Sequence, residues 1–240
     1  ERTLAPLMLF MAQKDDIVQA PRPPVSQLQE FQRVGIHLPQ FVENLIELKG
    51  RILGEYRSWG WSDKIAKEVG VEFPTGHRKL YGKSWGAERL REYLTQFDSE
   101  FLCSLDTVGR ICQTEEGVLA EAENLHQLGY HEHVLKAEFG TAGRGAMRDS
   151  YPYEQKTLIW IRKVLRLQGQ LVLEPRLERL VDYSIQCQVS SAQVKQVTVG
   201  RFETSEQGQY LGHHIGGFQR GLDQEVLRFL HGDGKDKHRF

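Results

Sequence analysis

The order of apolar and polar positions divides the chain into short elements. Residues 4–11 form an apolar run, and residues 7–11 of it fit a buried strand. Asp15 and Asp16 interrupt the run, residues 17–19 fit a second strand, and Pro21, Pro23 and Pro24 impose an extended turn. Leu28, Phe31 and Val34 then recur at helical spacing, which with Ser26 as its cap predicts a helix through residue 33 that ends at Gly35, before an extended segment over 36–41. Strand, turn, helix and strand in that order predict a small α/β unit. Further on, Ser62 is placed to cap a helix over residues 63–69, with Gly70 as its stop. Pro74 and Gly76 break the pattern and set a domain boundary, giving a unit over residues 1–75 and a larger one over residues 76–240.

The larger unit opens on a helix from about residue 84 to residue 96, with Leu90 and Leu94 turned inward. Val118, Leu119, Ala122, Leu125 and Leu128 form the apolar stripe of a helix over residues 114–128, which Thr114 begins and Gly129 ends. A strand over 134–139, a glycine-rich loop over 140–145 and a helix over 153–167 follow. Residues 170–174 are an almost wholly apolar strand. Two more strands are expected over 183–189 and 193–202, a turn at Gly208, a short helix over 225–230 and a polar tail over 232–240. The fold class is α/β, in two lobes. A first lobe covers about 76–173, and a second lobe begins at residue 174 with a new sheet near Leu171.

Composition narrows the function. Lys and Arg number 31 against 32 Asp and Glu, a formal net charge of −1. A near-neutral chain lacks the basic footprint of a nucleic-acid binder. No apolar run reaches the length of a membrane span, so no membrane partner is expected. Cys103, Cys112 and Cys187 are few, odd in number and not spaced as CxxC, which fits reduced thiols and a cytoplasmic location. His131, His133, His213 and His214 lack the spacing of a helical zinc site and are read as surface residues. Trp59 and Trp61 are read as core or turn anchors.

Two stretches carry chemistry. In the first, Lys136 lies within the apolar strand and is followed by Gly140, Thr141, Ala142, Gly143, Arg144 and Gly145. A strand lysine is costly to bury unless it meets an anion. Glycines let the backbone approach a phosphate and turn N–H groups toward it, while Lys136 and Arg144 supply charge. The stretch is neither a P-loop nor a dinucleotide fingerprint, because the lysine precedes the glycines and GxGxxG is absent. A tight hairpin whose glycines serve only the turn is the other reading. In the second stretch, an apolar strand ends in Glu174 and Pro175, followed by Arg176, Leu177 and, further on, Asp182, Tyr183 and Ser184. A carboxylate and backbone groups at such a linker can read an adenine amino group, and Asp182 can accept from ribose hydroxyls. An ordinary strand end with solvated charges is the alternative.

In this order the two stretches resemble the ATP-grasp family of ATP-dependent carboxylate–amine and carboxylate–thiol ligases. The resemblance rests on a strand lysine (Lys136), a glycine-rich loop (Gly140 to Gly145), a helix, an apolar strand ending in Glu174, and an acidic residue opening the next strand (Asp182). An earlier lysine opening a helix belongs to the same pattern. Lys83 fits it, and Lys64, farther upstream, is the competitor. The first 75 residues resemble the small α/β domain that precedes such a unit. The resemblance implies a two-lobed clamp on ATP. Lys83, Lys136 and Arg144 would neutralise phosphates, the loop would close over them, and Glu174 with the linker at Leu177 would hold adenine. It also implies activation of a small-molecule or peptide carboxylate as an acyl phosphate, for attack by an amine or thiol.

The pattern departs from the family at its end. Acidic residues and an Asn on late strands would hold magnesium, which takes hard oxygen ligands. After Asp182 the acids are Glu203, Glu206, Asp223, Glu225, Asp233 and Asp236, none in that pattern, and no Asn follows Asn124. With Glu1 as first residue, the expectation is a segment of a longer protein, inactive as a ligase by itself, whose magnesium ligands lie beyond residue 240. A non-catalytic nucleotide-binding scaffold or regulatory subunit, and an α/β interaction protein with a structural glycine loop, are the rival readings.

Overall fold

The computed structural model describes residues 5–58, 60–72, 75–97, 99, 102–140, 144–190, 192–206 and 208–231. Trp59, Pro74, Thr141, Ala142, Gly143 and residues 232–240, with Asp233 and Asp236 among them, lie outside the described residues. The chain divides into two units, Glu1–Pro74 and Thr75–Phe240.

In the first unit, β1 (Ile17–Gln19) is followed by α1 (Val25–Arg33) and then by β2 (Gln40–Val42), which pairs with β1 in parallel. Val18, Ala20, Leu28 and Val42 are buried there. Ser26 is not the cap: Pro24 holds that position, with no side-chain cap bond, and pre-sets the backbone where a proline costs no helical hydrogen bond. The helix α2 (Asp63–Val69) begins where the Ser62 hydroxyl accepts from the Ile65 N–H at 3.3 Å, and it ends on a left-handed Gly70.

The opening apolar run is not the strand expected over residues 7–11. It forms a 3-10 helix, Ala5–Phe10. Short apolar runs suit either state, and Pro6 has no N–H to give a ladder. Phe10 instead packs edge-on against Phe31 of α1, with ring centroids 5.4 Å apart.

The second unit begins with α3 (Thr75–Leu80) and α4 (Lys83–Gln96), then β3 (Arg110–Cys112) and α5 (Glu115–Gln127). The hairpin of β4 (Glu132–Ala137) and β5 (Ala146–Ser150) follows, then α6 (Gln155–Gln168) and β6 (Leu171–Pro175). Finally come β7 (Asp182–Val189), β8 (Val194–Thr204), β9 (Tyr210–His213) and α7 (Gln224–His231). The architecture is mixed α/β with two sheets. One is four-stranded in the order β3-β6-β4-β5, and the other is three-stranded in the order β7-β8-β9. Every pairing in both is antiparallel.

The apolar strand β6 does not begin a second sheet. It is an inner strand of the first, between β3 and β4, and this is why both its faces are apolar. Leu171 and Leu173 join the core under α5 and α6, while Val172 meets Ala87 of α4 on the other face. Glu174 and Pro175 therefore still belong to the first sheet, and the second begins at Asp182.

Helices α5 and α6 cover one face of the four-stranded sheet. Val118, Ala122, Leu125, Ile161, Leu135, Leu171 and Leu173 all lie in that core. Each fully buried leucine or isoleucine contributes about 1.5–3 kcal/mol. Thr114 starts α5 by accepting the Gly117 N–H at 3.0 Å. Among the described residues no helix is long and apolar enough to cross a membrane, and the cysteines are free.

His133 is fully buried in this core and is not a surface residue. Its Nδ1 lies 2.7 Å from the Tyr153 hydroxyl and its Nε2 2.9 Å from the Tyr130 carbonyl. A carbonyl only accepts, so Nε2 carries the proton and Nδ1 accepts from Tyr153, which fixes a neutral tautomer. Burial lowers the His133 pKa below its ordinary value. His126, Arg110 and His131 lower it further, and the Tyr130 carbonyl offsets this only in part. The folded chain thus resists a proton that the unfolded chain takes up near pH 6.5. Stability is complete above about pH 6.5 and falls as the pH drops from there toward the folded pKa. Replacing His133 with Gln keeps one donor and one acceptor and removes the titration. The thermal midpoint of His133→Gln should fall less between pH 7.5 and pH 5.5 than that of the wild type, and equal slopes would contradict the assignment.

Candidate functional site

The two faces of β4 divide by alternation. His133, Leu135 and Ala137 point into the core, and Glu132, Val134 and Lys136 point to the other side. Residues directly opposite one another on antiparallel strands share a face. Val134 stands opposite Arg148 on β5 and Glu174 on β6, and Lys136 opposite Ala146 and Val172. On this face α4 packs over β3 and β6 through Ala87, Val108, Val172, Leu94 and Ile111. The rest of this face carries Lys136 on β4, Arg148 on β5 and Glu174 near the end of β6.

Lys136 and Glu174 form an ion pair with side chains 31% and 29% exposed. That is enough burial to strengthen the pair and enough exposure for a ligand to reach it. Lys83 opens α4 at the root of the glycine loop. Its main-chain N–H donates to the Glu138 carbonyl at 3.1 Å, and its ammonium donates to the Gly140 carbonyl at 2.8 Å. Lys64 lies exposed on α2 of the first unit. The loop is a hairpin connection between β4 and β5, closed by the Ala137 N–H donating to the Gly145 carbonyl at 2.8 Å. Gly140 touches the returning chain so closely that a Cβ on it would lie 2.5 Å from the Arg144 carbonyl oxygen. Gly145 has a left-handed φ of +78°. Arg144 is exposed at the return. Thr141 and Gly143 lie outside the described residues.

The linker after β6 begins with Arg176, which pairs with Glu132 at 2.8 Å, and Leu177 on it is half-exposed. Asp182 opens β7. Its Oδ2 accepts from the Thr204 hydroxyl at 2.7 Å and faces Arg179 at 3.4 Å. Arg179 also donates to the Ser205 carbonyl at 3.1 Å, and Arg148 donates to the Glu206 carbonyl. The β8–β9 turn of the second sheet is thereby tied to β5 of the first. Burial, then the neighbouring Arg176 and Arg179, lower the Arg148 pKa below the ordinary arginine value. The guanidinium remains a cation all the same. Arg148 went unnoticed in the sequence because β5, with Arg148, Asp149 and Ser150, has no apolar alternation.

The acids of the second sheet do not converge. Asp182 is engaged by Arg179 and Thr204, and Glu203 lies 2.7 Å from His214. Among the described residues no three His, Cys, Asp or Glu side chains gather where they would hold a metal. The described residues do not fit magnesium.

No protein-family model matches the chain, and no curated protein matches it. Among solved structures, D-alanyl-alanine synthetase A from Vibrio cholerae O1 biovar eltor strain N16961 aligns at 10% identity with a TM-score of 0.42. The match covers 69% of this chain and 49% of the synthetase, so the chain spans about half the length of that protein. A likeness at this level assigns neither a family nor an activity to the chain.

The hairpin geometry predicts a specific sensitivity. Gly140→Ala should lower the unfolding free energy by about 1–3 kcal/mol, because the Arg144 carbonyl must move to admit the methyl group. Urea denaturation checks this. An unchanged midpoint would mean that the loop root is not held against residue 144.

Proposed function

We propose that the chain is the nucleotide-binding part of an ATP-dependent ligase of the ATP-grasp kind. The observation that carries this reading is that Lys136 pairs with Glu174 on one face of the first sheet while Lys83 bonds the Gly140 carbonyl at the root of the glycine loop. Two of these come from distant parts of the sequence, and nothing in local structure requires a lysine at both places. A triphosphate would take Lys136 from Glu174 and Lys83 from the Gly140 carbonyl, exchanging internal acceptors for phosphate oxygens. Glu174, once released, and the linker at Leu177 would face the base, and Asp182 the ribose. The protein's part in phosphoryl transfer is positioning and charge neutralisation, which Lys83, Lys136 and Arg144 supply. The carboxylate to be activated, and the amine or thiol that attacks it, belong to the same proposal. So does the expectation that this chain binds nucleotide without turning it over.

A second reading is favoured by the glycines themselves. Gly140 and Gly145 are already required by the hairpin, through close contact at the first and positive φ at the second. The loop is therefore also consistent with an α/β interaction protein that binds no nucleotide. Calorimetric titration with ATP separates the two. The ligase reading expects a dissociation constant that Lys136→Ala weakens by about tenfold or more, equal to about 1.4 kcal/mol or more. The far-ultraviolet spectrum should not change, because Lys136 is partly exposed. Binding of equal strength in wild type and variant would remove Lys136 from the site, and no binding by the wild type would favour the interaction protein.

A further inference from the structure

Glu138 was not expected to carry any role, yet among the described residues it is the one buried acid, sealed into the root of the loop. It is 5% exposed. Its carboxylate accepts from the Ser84 N–H at 3.2 Å and from the Ser84 hydroxyl at 2.7 Å. Gln170 donates to the same hydroxyl oxygen at 2.9 Å, which leaves the hydroxyl proton for Glu138. These partners are neutral. The remaining compensation for a buried carboxylate is the positive end of α4, in whose first turn Ser84 lies.

Helix α4 has no cap of its own. Gly82 occupies the cap position and makes no side-chain bond there. A methyl group on Gly82 would collide with Glu138 Oε1. The cap is thus supplied across the sequence by Glu138, and Gly82 leaves the room for it. A cap that comes from residue 138 does something a local cap does not: it joins the helix start to the strand end from which the glycine loop departs. Between the two stands Lys83, held at the main chain by the Glu138 carbonyl and at the ammonium by the Gly140 carbonyl.

We propose that Glu138 is a positioning residue. It clamps the first turn of α4 to the root of the glycine loop, and so fixes where the Lys83 ammonium meets the phosphates of a bound nucleotide. This rests on the nucleotide-binding reading given above. The clamp acts through Lys83, so its loss matters only while Lys83 is present.

The test is a double-mutant cycle on the full chain. ATP dissociation constants are measured for wild type, Glu138→Ala, Glu138→Gln, Lys83→Ala and the Lys83→Ala/Glu138→Ala pair, alongside amide hydrogen exchange at Lys83 and Ser84. Glu138→Ala should weaken ATP about tenfold, and Glu138→Gln, which keeps an acceptor for the Ser84 hydroxyl, only about two- to threefold. The double variant should bind no more weakly than Lys83→Ala alone. Additive losses, or unchanged binding in Glu138→Ala, overturn the proposal. Should Glu138→Ala fail to fold, Glu138→Gln and Ser84→Ala carry the same comparison. Absence of ATP binding in the wild type sinks the nucleotide reading, and with it the role of Lys83. In that case faster exchange at Ser84 in Glu138→Ala would still uphold the clamp, and unchanged exchange would overturn it too.

Discussion

The arrangement depends on one constraint: a single strand, β4, must serve a dry face and a wet face at once. On the dry face His133, Leu135 and Ala137 lie under α5 and α6, and this fixes the strand's register. Once the register is set, Lys136 has no choice of side. It stands on the face opposite the α5–α6 core, where it pairs with Glu174 from β6. An isolated ammonium there would bear a desolvation cost, and the ion pair offsets it. In the proposed function the pair is the resting arrangement that the phosphates of a nucleotide would exchange.

The same register decides what surrounds the pair. Because Val134 stands opposite both Arg148 and Glu174, the β5 arginine reaches the β8–β9 turn, while the Glu174 end of β6 leads into the linker at Arg176. The second sheet is thus tied to the first by side chains of the very strands that bear the candidate site. A ligand that separates Lys136 from Glu174 acts at the base of that connection. At the other end of β4, Glu138 joins the loop root to α4. Lys136 and Lys83 are consequently held by two different devices, a partly buried ion pair and a buried cap.

Much of this was legible in the sequence where local pattern decides. Ser62 and Thr114 begin their helices as their residue types predict, and the apolar stripe of α5 and the apolar β6 are where periodicity puts them. What pattern did not reveal depends on contacts between distant residues. The strand β5 is polar and exists because β4 is beside it. The place of β6 inside the first sheet depends on β3, only three residues long. The burial of His133 needs Tyr153, twenty residues on, and Glu138 needs Ser84 and Gln170. A run such as Ala5–Phe10 is apolar enough for strand or helix, and its packing against Phe31 decides. Lys83, Lys136 and Glu174 were singled out because their order along the chain resembles a family pattern, which local periodicity alone would not have supplied.

The central claim is that phosphates sit between Lys83 and Lys136 on the face of the first sheet that lies opposite the α5–α6 core. An ATP analogue bearing a reactive acyl phosphate tests it most directly, since it transfers its acyl group to lysine amines next to the phosphate chain. The account predicts acylation concentrated on Lys83 and Lys136 and suppressed by excess ATP. Acylation spread over exposed lysines such as Lys64 and Lys156, with no protection by ATP at Lys83 or Lys136, would contradict it.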